Sequence, residues 1–150
     1  MTLTELILWS AFFILMVLVT IADIRTMEIP DGLVLAVLVL GILAAVLVKN
    51  ITLWERVAGF AGVSLPLLVI TLFAPGAFGG GDIKLMAAGG FFLGFRLTLL
   101  GFVVAVLAGA VYGVWLLMKK KKAKNESFAF GPFLCGGMAV ALMYNILLTT

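Results

Sequence analysis

Two aspartates, Asp23 and Asp82, each stand where a long apolar run meets polar sequence, in a 150-residue chain that has no histidine. Brought within a few ångströms, two carboxylates cannot both ionise easily, so the pair holds one proton between them. The ionised member can take a proton from water, which then attacks a peptide carbonyl. The protonated member supports the developing oxyanion and afterwards protonates the leaving amine. That chemistry needs no metal and no cofactor. Competing chemistries are poorly supplied. Without an imidazole the usual zinc sites and the serine or cysteine triads are lost. The one cysteine, Cys135, lies in an apolar run; it allows neither a disulfide framework nor a CxxC metal site, and its ordinary role is a small buried hydrophobe.

Each aspartate also has a structural alternative. Asp23, in VTIADIRTMEIPD, can be a helix-end carboxylate paired with Arg25 or solvated by lipid headgroups. Asp82, in GGGDIK, can be the N-cap of the helix that follows. Capping leaves carboxylate lone pairs free, so it does not exclude catalysis. Gly79, Gly80 and Gly81 suit a place where an extended substrate backbone must approach closely. The segment is neither GxGxxG nor GxxxxGK[ST], so a phosphate loop is a poor fit.

The elements that would hold these residues are membrane helices. Apolar residues make up 65% of the chain and charged residues 11%, and the mean hydropathy is +1.32. A soluble domain is about half apolar and a quarter charged, so lipid is the expected solvent and residues 1–150 read as a single membrane domain. Apolar runs at 6–22, 32–48, 57–73, 83–95, 97–118 and 128–148 predict an all-α protein of about six transmembrane helices, with 51–56 as an interfacial turn. The first run lacks a basic preceding region and a small-residue cleavage site, so it reads as a retained span.

Lys119, Lys120, Lys121, Lys122 and Lys124 form a basic run that belongs in the cytoplasm. Counting back from it across six spans leaves both termini outside. The 23–31 and 75–82 loops then lie inside, so Asp23 and Asp82 face one membrane surface. Lys49, Arg56 and Arg96 fall on the outer side, against the trend.

With these residues in view, the sequence resembles the type IV prepilin leader peptidases, which are intramembrane aspartic proteases. GGGDIKLMAAGGFFLG is similar to that family's GxGD motif, and the segment from Asp23 to Asp31 is similar to its first-aspartate motif. FAFGPFLCGG, residues 128–137, resembles the segment that opens the family's last span. The resemblance implies a catalytic pair at Asp23 and Asp82, with Asp31 as a rival for the first position. It implies supporting roles for Gly79, Gly80, Gly81, Lys84, Glu28, Pro30 and Asp31. Gly131 and Pro132 suit a helix start, since proline's missing N–H is not needed there, or a loop facing the site.

The resemblance further implies a multi-pass protein of the cytoplasmic membrane. Its partners would be the bilayer and a prepilin-like substrate rather than nucleic acid. That substrate carries a short basic leader, ending in Gly, ahead of an apolar helix; Glu28 and Asp31 could steer the leader. Large family members also methylate the new N-terminus and carry an extra domain with two CxxC pairs. This chain starts at its first span, so methyltransferase activity is not expected. It resembles the compact peptidases of Flp-type pili or of archaeal preflagellins. Two alternatives stay open on the residues alone. One is a general GxGD protease cutting within spans, though the Tyr-Asp and Pro-Ala-Leu segments of presenilin-like enzymes are missing. The other is a membrane scaffold or transport subunit using the aspartates as ion ligands.

Overall fold

The computed structural model describes residues 2–119 and 129–149. Apart from Lys119, the lysine run expected to anchor the topology lies outside the described residues, as does Phe128.

The described residues form seven helical segments and no strand: α1 (Leu3–Thr26), α2 (Asp31–Leu47), α3 (Leu53–Gly62), α4 (Ser64–Phe73), α5 (Gly80–Leu93), α6 (Phe95–Lys119) and α7 (Gly131–Thr149). Four rods are long and apolar enough to cross a membrane: α1, the α3–α4 pair Leu53–Phe73, α6 and α7. Helix α2 is apolar but has only 17 residues. Helix α5, with 14 residues, is about 21 Å long. The expected six spans thus resolve into four helices of full crossing length and two shorter ones.

Local sequence sets the boundaries. Thr2 caps α1: its hydroxyl accepts from Glu5 N at 3.2 Å, while Glu5 Oε2 accepts from Thr2 N at 2.7 Å. Thr52 caps α3 through its hydroxyl, which accepts from Glu55 N at 3.3 Å. Residues 51–56 are therefore not a separate interfacial turn; the third rod begins at Leu53. That rod breaks at Val63 because Pro66 has no N–H to donate to the Gly62 carbonyl. Gly94, with φ +80°, makes the turn from α5 into α6.

Helix α5 is the hub, packing against α2, α3, α4, α6 and α7. Eight of its 14 residues are buried, so protein rather than lipid surrounds it. Its glycines permit this. A Cβ at Gly90 would strike the Gly59 carbonyl of α3, and one at Gly89 would meet the Met138 sulfur of α7. On α1, Leu8, Phe12, Met16 and Val19 form one buried stripe at helical spacing. Phe12 stacks on Phe92 of α5 with ring centroids 4.4 Å apart. Glu5 and Asp23 are the two ends of that same stripe.

Arg56, the outer-side charge that ran against the topology trend, is 1% exposed. Its guanidinium donates to the Phe91 and Phe92 carbonyls closing α5 and to the Ala44 and Val48 carbonyls closing α2. A cation at two helix C-termini is favourably placed against both dipoles. Arg56 ties helices together inside the protein, so its charge carries no weight in the topology count.

Candidate active site

Three helix ends converge on one place: the last turn of α1, the first turn of α5 and the start of α7. Asp23 comes from α1. It is 5% exposed and follows Val19 by one turn, so the core stripe delivers its carboxylate into the protein rather than to the headgroups. Met27, in the left-handed region at φ 56°, stops α1 with its N–H on the Asp23 carbonyl at 2.8 Å. Arg25 is exposed and forms no ion pair with Asp23. The partner is instead the Gly131 amide, which donates to Asp23 Oδ2 at 2.9 Å from the first turn of α7. A buried hydrogen bond to a charged group contributes about 1.5–3 kcal/mol. Gly131 is glycine for reasons of space: a Cβ there would lie 2.9 Å from Asp23 Cγ. Pro132, second in α7, needs no N–H. The GPF segment thus starts a helix and also supports the site.

Asp82 is half-buried and is not an N-cap. The N-cap of α5 is Gly79; Gly80 and Gly81 are already helical, and Asp82 is in the third helical position. From there its carboxylate reaches back to the Gly79 backbone, the reciprocal half of a capping box. Nor do the three glycines serve a left-handed backbone, since Gly79 has φ −69°. Each has its own spatial setting. A Cβ at Gly81 would lie 2.9 Å from Ile29 Cβ, so the α1–α2 loop packs directly on that position. A Cβ at Gly79 would sit 3.2 Å from Asp82 Oδ2, whereas Gly80 faces open space.

Asp23 and Asp82 line two common cavities, of about 820 and 650 Å³. The positive ends of the α5 and α7 dipoles point at them. The smaller cavity also takes in Glu28, Pro30, Asp31, Gly79, Gly80, Gly81 and Lys84. Asp31, the rival first aspartate, opens α2 and pairs with Lys84 Nζ at 2.8 Å, their side chains 77% and 58% exposed. It belongs to the smaller cavity alone. Thr26 holds the loop between, its hydroxyl bonded to the Ala22 and Glu28 carbonyls at 2.9 and 3.0 Å. Cys135 is buried and free. Among the described residues no group of three His, Cys, Asp or Glu could hold a metal ion.

The larger cavity has a wall that sequence reasoning did not anticipate. Phe78 and Phe130 line it together as a tilted aromatic pair, ring centroids 6.2 Å apart. Val106, Gly109, Ala110, Gly113 and Val114 of α6 complete it. Their three- and four-residue spacing marks one helix face, but α6 is apolar all round and nothing in its pattern distinguishes that face from those that meet lipid.

Residues 10–114 match the type IV leader peptidase family. The chain is 34% identical over 135 residues to a prepilin leader peptidase/N-methyltransferase of Bacillus subtilis (strain 168), covering 89% of this chain and 54% of that protein. Proteins of the same name from Legionella pneumophila and Pectobacterium carotovorum subsp. carotovorum are 33% and 34% identical. Those alignments cover 90% and 92% of this chain and 48% and 52% of the respective relatives. The chain thus spans about half the length of the curated relatives it matches. No solved structure matches it. By a match over more than two thirds of its length, the chain belongs to the type IV leader peptidase family.

Proposed function

We propose that this protein is a membrane-embedded aspartic endopeptidase. It removes the short basic leader of type IV prepilin-like proteins, after glycine, at the cytoplasmic face of the cytoplasmic membrane. The catalytic pair is Asp23 and Asp82. One observation carries the reading: two carboxylates from distant parts of the sequence line the same cavities at one end of the helical assembly. Family membership supports the substrate class.

The pair holds a water between its members and one shared proton. The ionised carboxylate takes a proton from that water as its oxygen attacks the scissile carbonyl. The protonated carboxyl supports the oxyanion, and on collapse a proton passes to the leaving amine. The Gly131 amide fixes Asp23 and keeps it from turning away when the site is empty. Asp31 and Lys84 pair across the rim between the starts of α2 and α5. Gly80 leaves room for a substrate backbone beside Asp82. All six helical rods would cross the membrane, α5 within the shelter of its neighbours, with both termini outside and the active-site loops in the cytoplasm.

The test is co-expression with candidate prepilins, reading leader loss as a gel shift. Wild type should convert its substrate, and Asp82→Asn should not, while remaining folded and membrane-inserted. Conversion by Asp82→Asn at the wild-type rate would refute the pair. If Asp31→Asn alone were dead and Asp23→Asn active, the first aspartate would be Asp31 instead.

A further inference from the structure

The two cavities that meet at the carboxylates differ in character. The smaller is rimmed by Glu28, Asp31, Lys84 and the Thr26 hydroxyl, and it opens at the loop end of the molecule. The larger runs along α6 past Ala110 and Val106, towards the middle of that helix and hence into membrane depth. Its wall is aliphatic and aromatic except for the carboxylates themselves. Only Asp23, Met27, Gly79 and Asp82 belong to both cavities. A chain lying across the pair must therefore place one flank in each.

We propose that the two cavities divide the substrate, and that the α6 face through Val106 and Ala110 selects the side chain just after the cut bond. The inference rests on the peptidase reading above and deepens it. The polar cavity holds the residues before the scissile bond. Two carboxylates against one ammonium leave its rim net acidic, which suits a basic segment. The apolar cavity takes the residues that follow and guides them down α6 into the bilayer. Gly109 has a different part: a Cβ there would lie 2.6 Å from the Phe130 ring, so this glycine seats the aromatic wall. Ala110 and Val106 are exposed positions of α6, where side-chain size can change without disturbing the core.

The experiment uses the full chain and three substrates that differ only in the residue after the cut bond: Ala, Phe or Trp. Ala110→Phe should lower kcat/KM for the Phe substrate about tenfold relative to the Ala substrate. Val106→Ala, which removes volume, should shift preference the other way and raise cleavage of the Trp substrate relative to the Phe substrate. Neither variant should change the response to charge in the leader, whereas Glu28→Gln should weaken that response equally for all three substrates. Equal effects of Ala110→Phe on all three, in a protein that melts as wild type does, would overturn the division. So would unchanged preference in both α6 variants. Failure of wild type to cleave any of the three would overturn the peptidase reading, and this inference with it.

Discussion

Glu5 is as deeply buried as Asp23, 6% against 5% exposed, and both sit on the same stripe of α1, at its two ends. The protein treats them differently. Both Glu5 oxygens are engaged: Oε2 by the Thr2 amide and Oε1 by the Asn50 side chain. Nearby, Arg56 spends its terminal nitrogens on four backbone carbonyls. Asp23 is held through Oδ2 by one amide, and Asp82 through one backbone contact to Gly79. A cavity does not by itself mark the difference, because one of about 500 Å³ opens at the Glu5 end too. Saturation of the charge does. Fully engaged carboxylate oxygens cap and pin; a carboxylate fixed on one side and open on the other can still exchange a proton with water.

That contrast can be broken by variants at each end. Asp23→Asn and Asp82→Asn should each lower cleavage about a thousandfold and leave the melting temperature within about 3 °C of wild type. Glu5→Ala should do the reverse: it should cost about 1–3 kcal/mol of stability while each folded molecule keeps the wild-type rate. Activity assays on purified protein, normalised to the folded fraction from thermal unfolding in detergent, check both. A folded but inactive Glu5→Ala protein would erase the distinction.

Arg56 supplies the next largest effect. Arg56→Met leaves four carbonyls at two helix ends without their donor and should cost about 3 kcal/mol in the same unfolding measurement. Arg56→Lys should recover only part of this, because one ammonium cannot span the ends of α2 and α5 as a planar guanidinium does. Full recovery by lysine would show that charge at the helix ends matters and geometry does not.

Much of this arrangement is legible in the sequence, and the exceptions have physical causes. The helical rods follow from the long apolar runs. The spacing of Leu8, Phe12, Met16, Val19 and Asp23 contains the further information that Asp23 points inward. It is hard to use beforehand, since on an all-apolar helix nothing marks which face meets protein. The same degeneracy hides the α6 wall. Arg56 looks like a misplaced outer charge for another reason: the carbonyls it serves belong to α2 and α5. The supporting part of Gly131 depends on a contact between residues 108 positions apart. The motif marks the place, but only the assembled helix ends reveal that a backbone amide acts there.

The three glycines before Asp82 sharpen the comparison within a single turn. Gly81→Ala would set a Cβ 2.9 Å from Ile29 Cβ, overpacking that should cost about 1–3 kcal/mol. Gly80→Ala faces open space at the first position of α5 and should stabilise the protein by about 0.4–1 kcal/mol, chiefly by restricting the unfolded chain. The larger Gly80→Val should instead lower cleavage without unfolding the protein, because its side chain enters the cavity beside Asp82. Unchanged cleavage by Gly80→Val would remove the argument that a substrate backbone approaches there.

The smallest effect on stability belongs to Lys84 and Asp31, whose ion pair is exposed on both sides. Such pairs contribute about 0–1 kcal/mol, so Lys84→Met and Asp31→Asn should melt close to wild type. If the proposed function holds, their influence should fall on substrate capture, and the two should act in opposite directions. Asp31→Asn removes negative charge from the rim and should raise KM for a basic leader. Lys84→Met unmasks Asp31 and should lower it. Both shifts should shrink between low salt and about 1 M salt, where the Debye length falls to about 3 Å. At the carboxylate pair no such salt dependence is expected, because in the proposed mechanism kcat depends on proton transfer within the cavity. A salt titration of KM and kcat in the two rim variants therefore separates steering from catalysis. Parallel shifts of both variants, or shifts that persist at high salt, would mean that the rim pair shapes the site rather than attracts the leader.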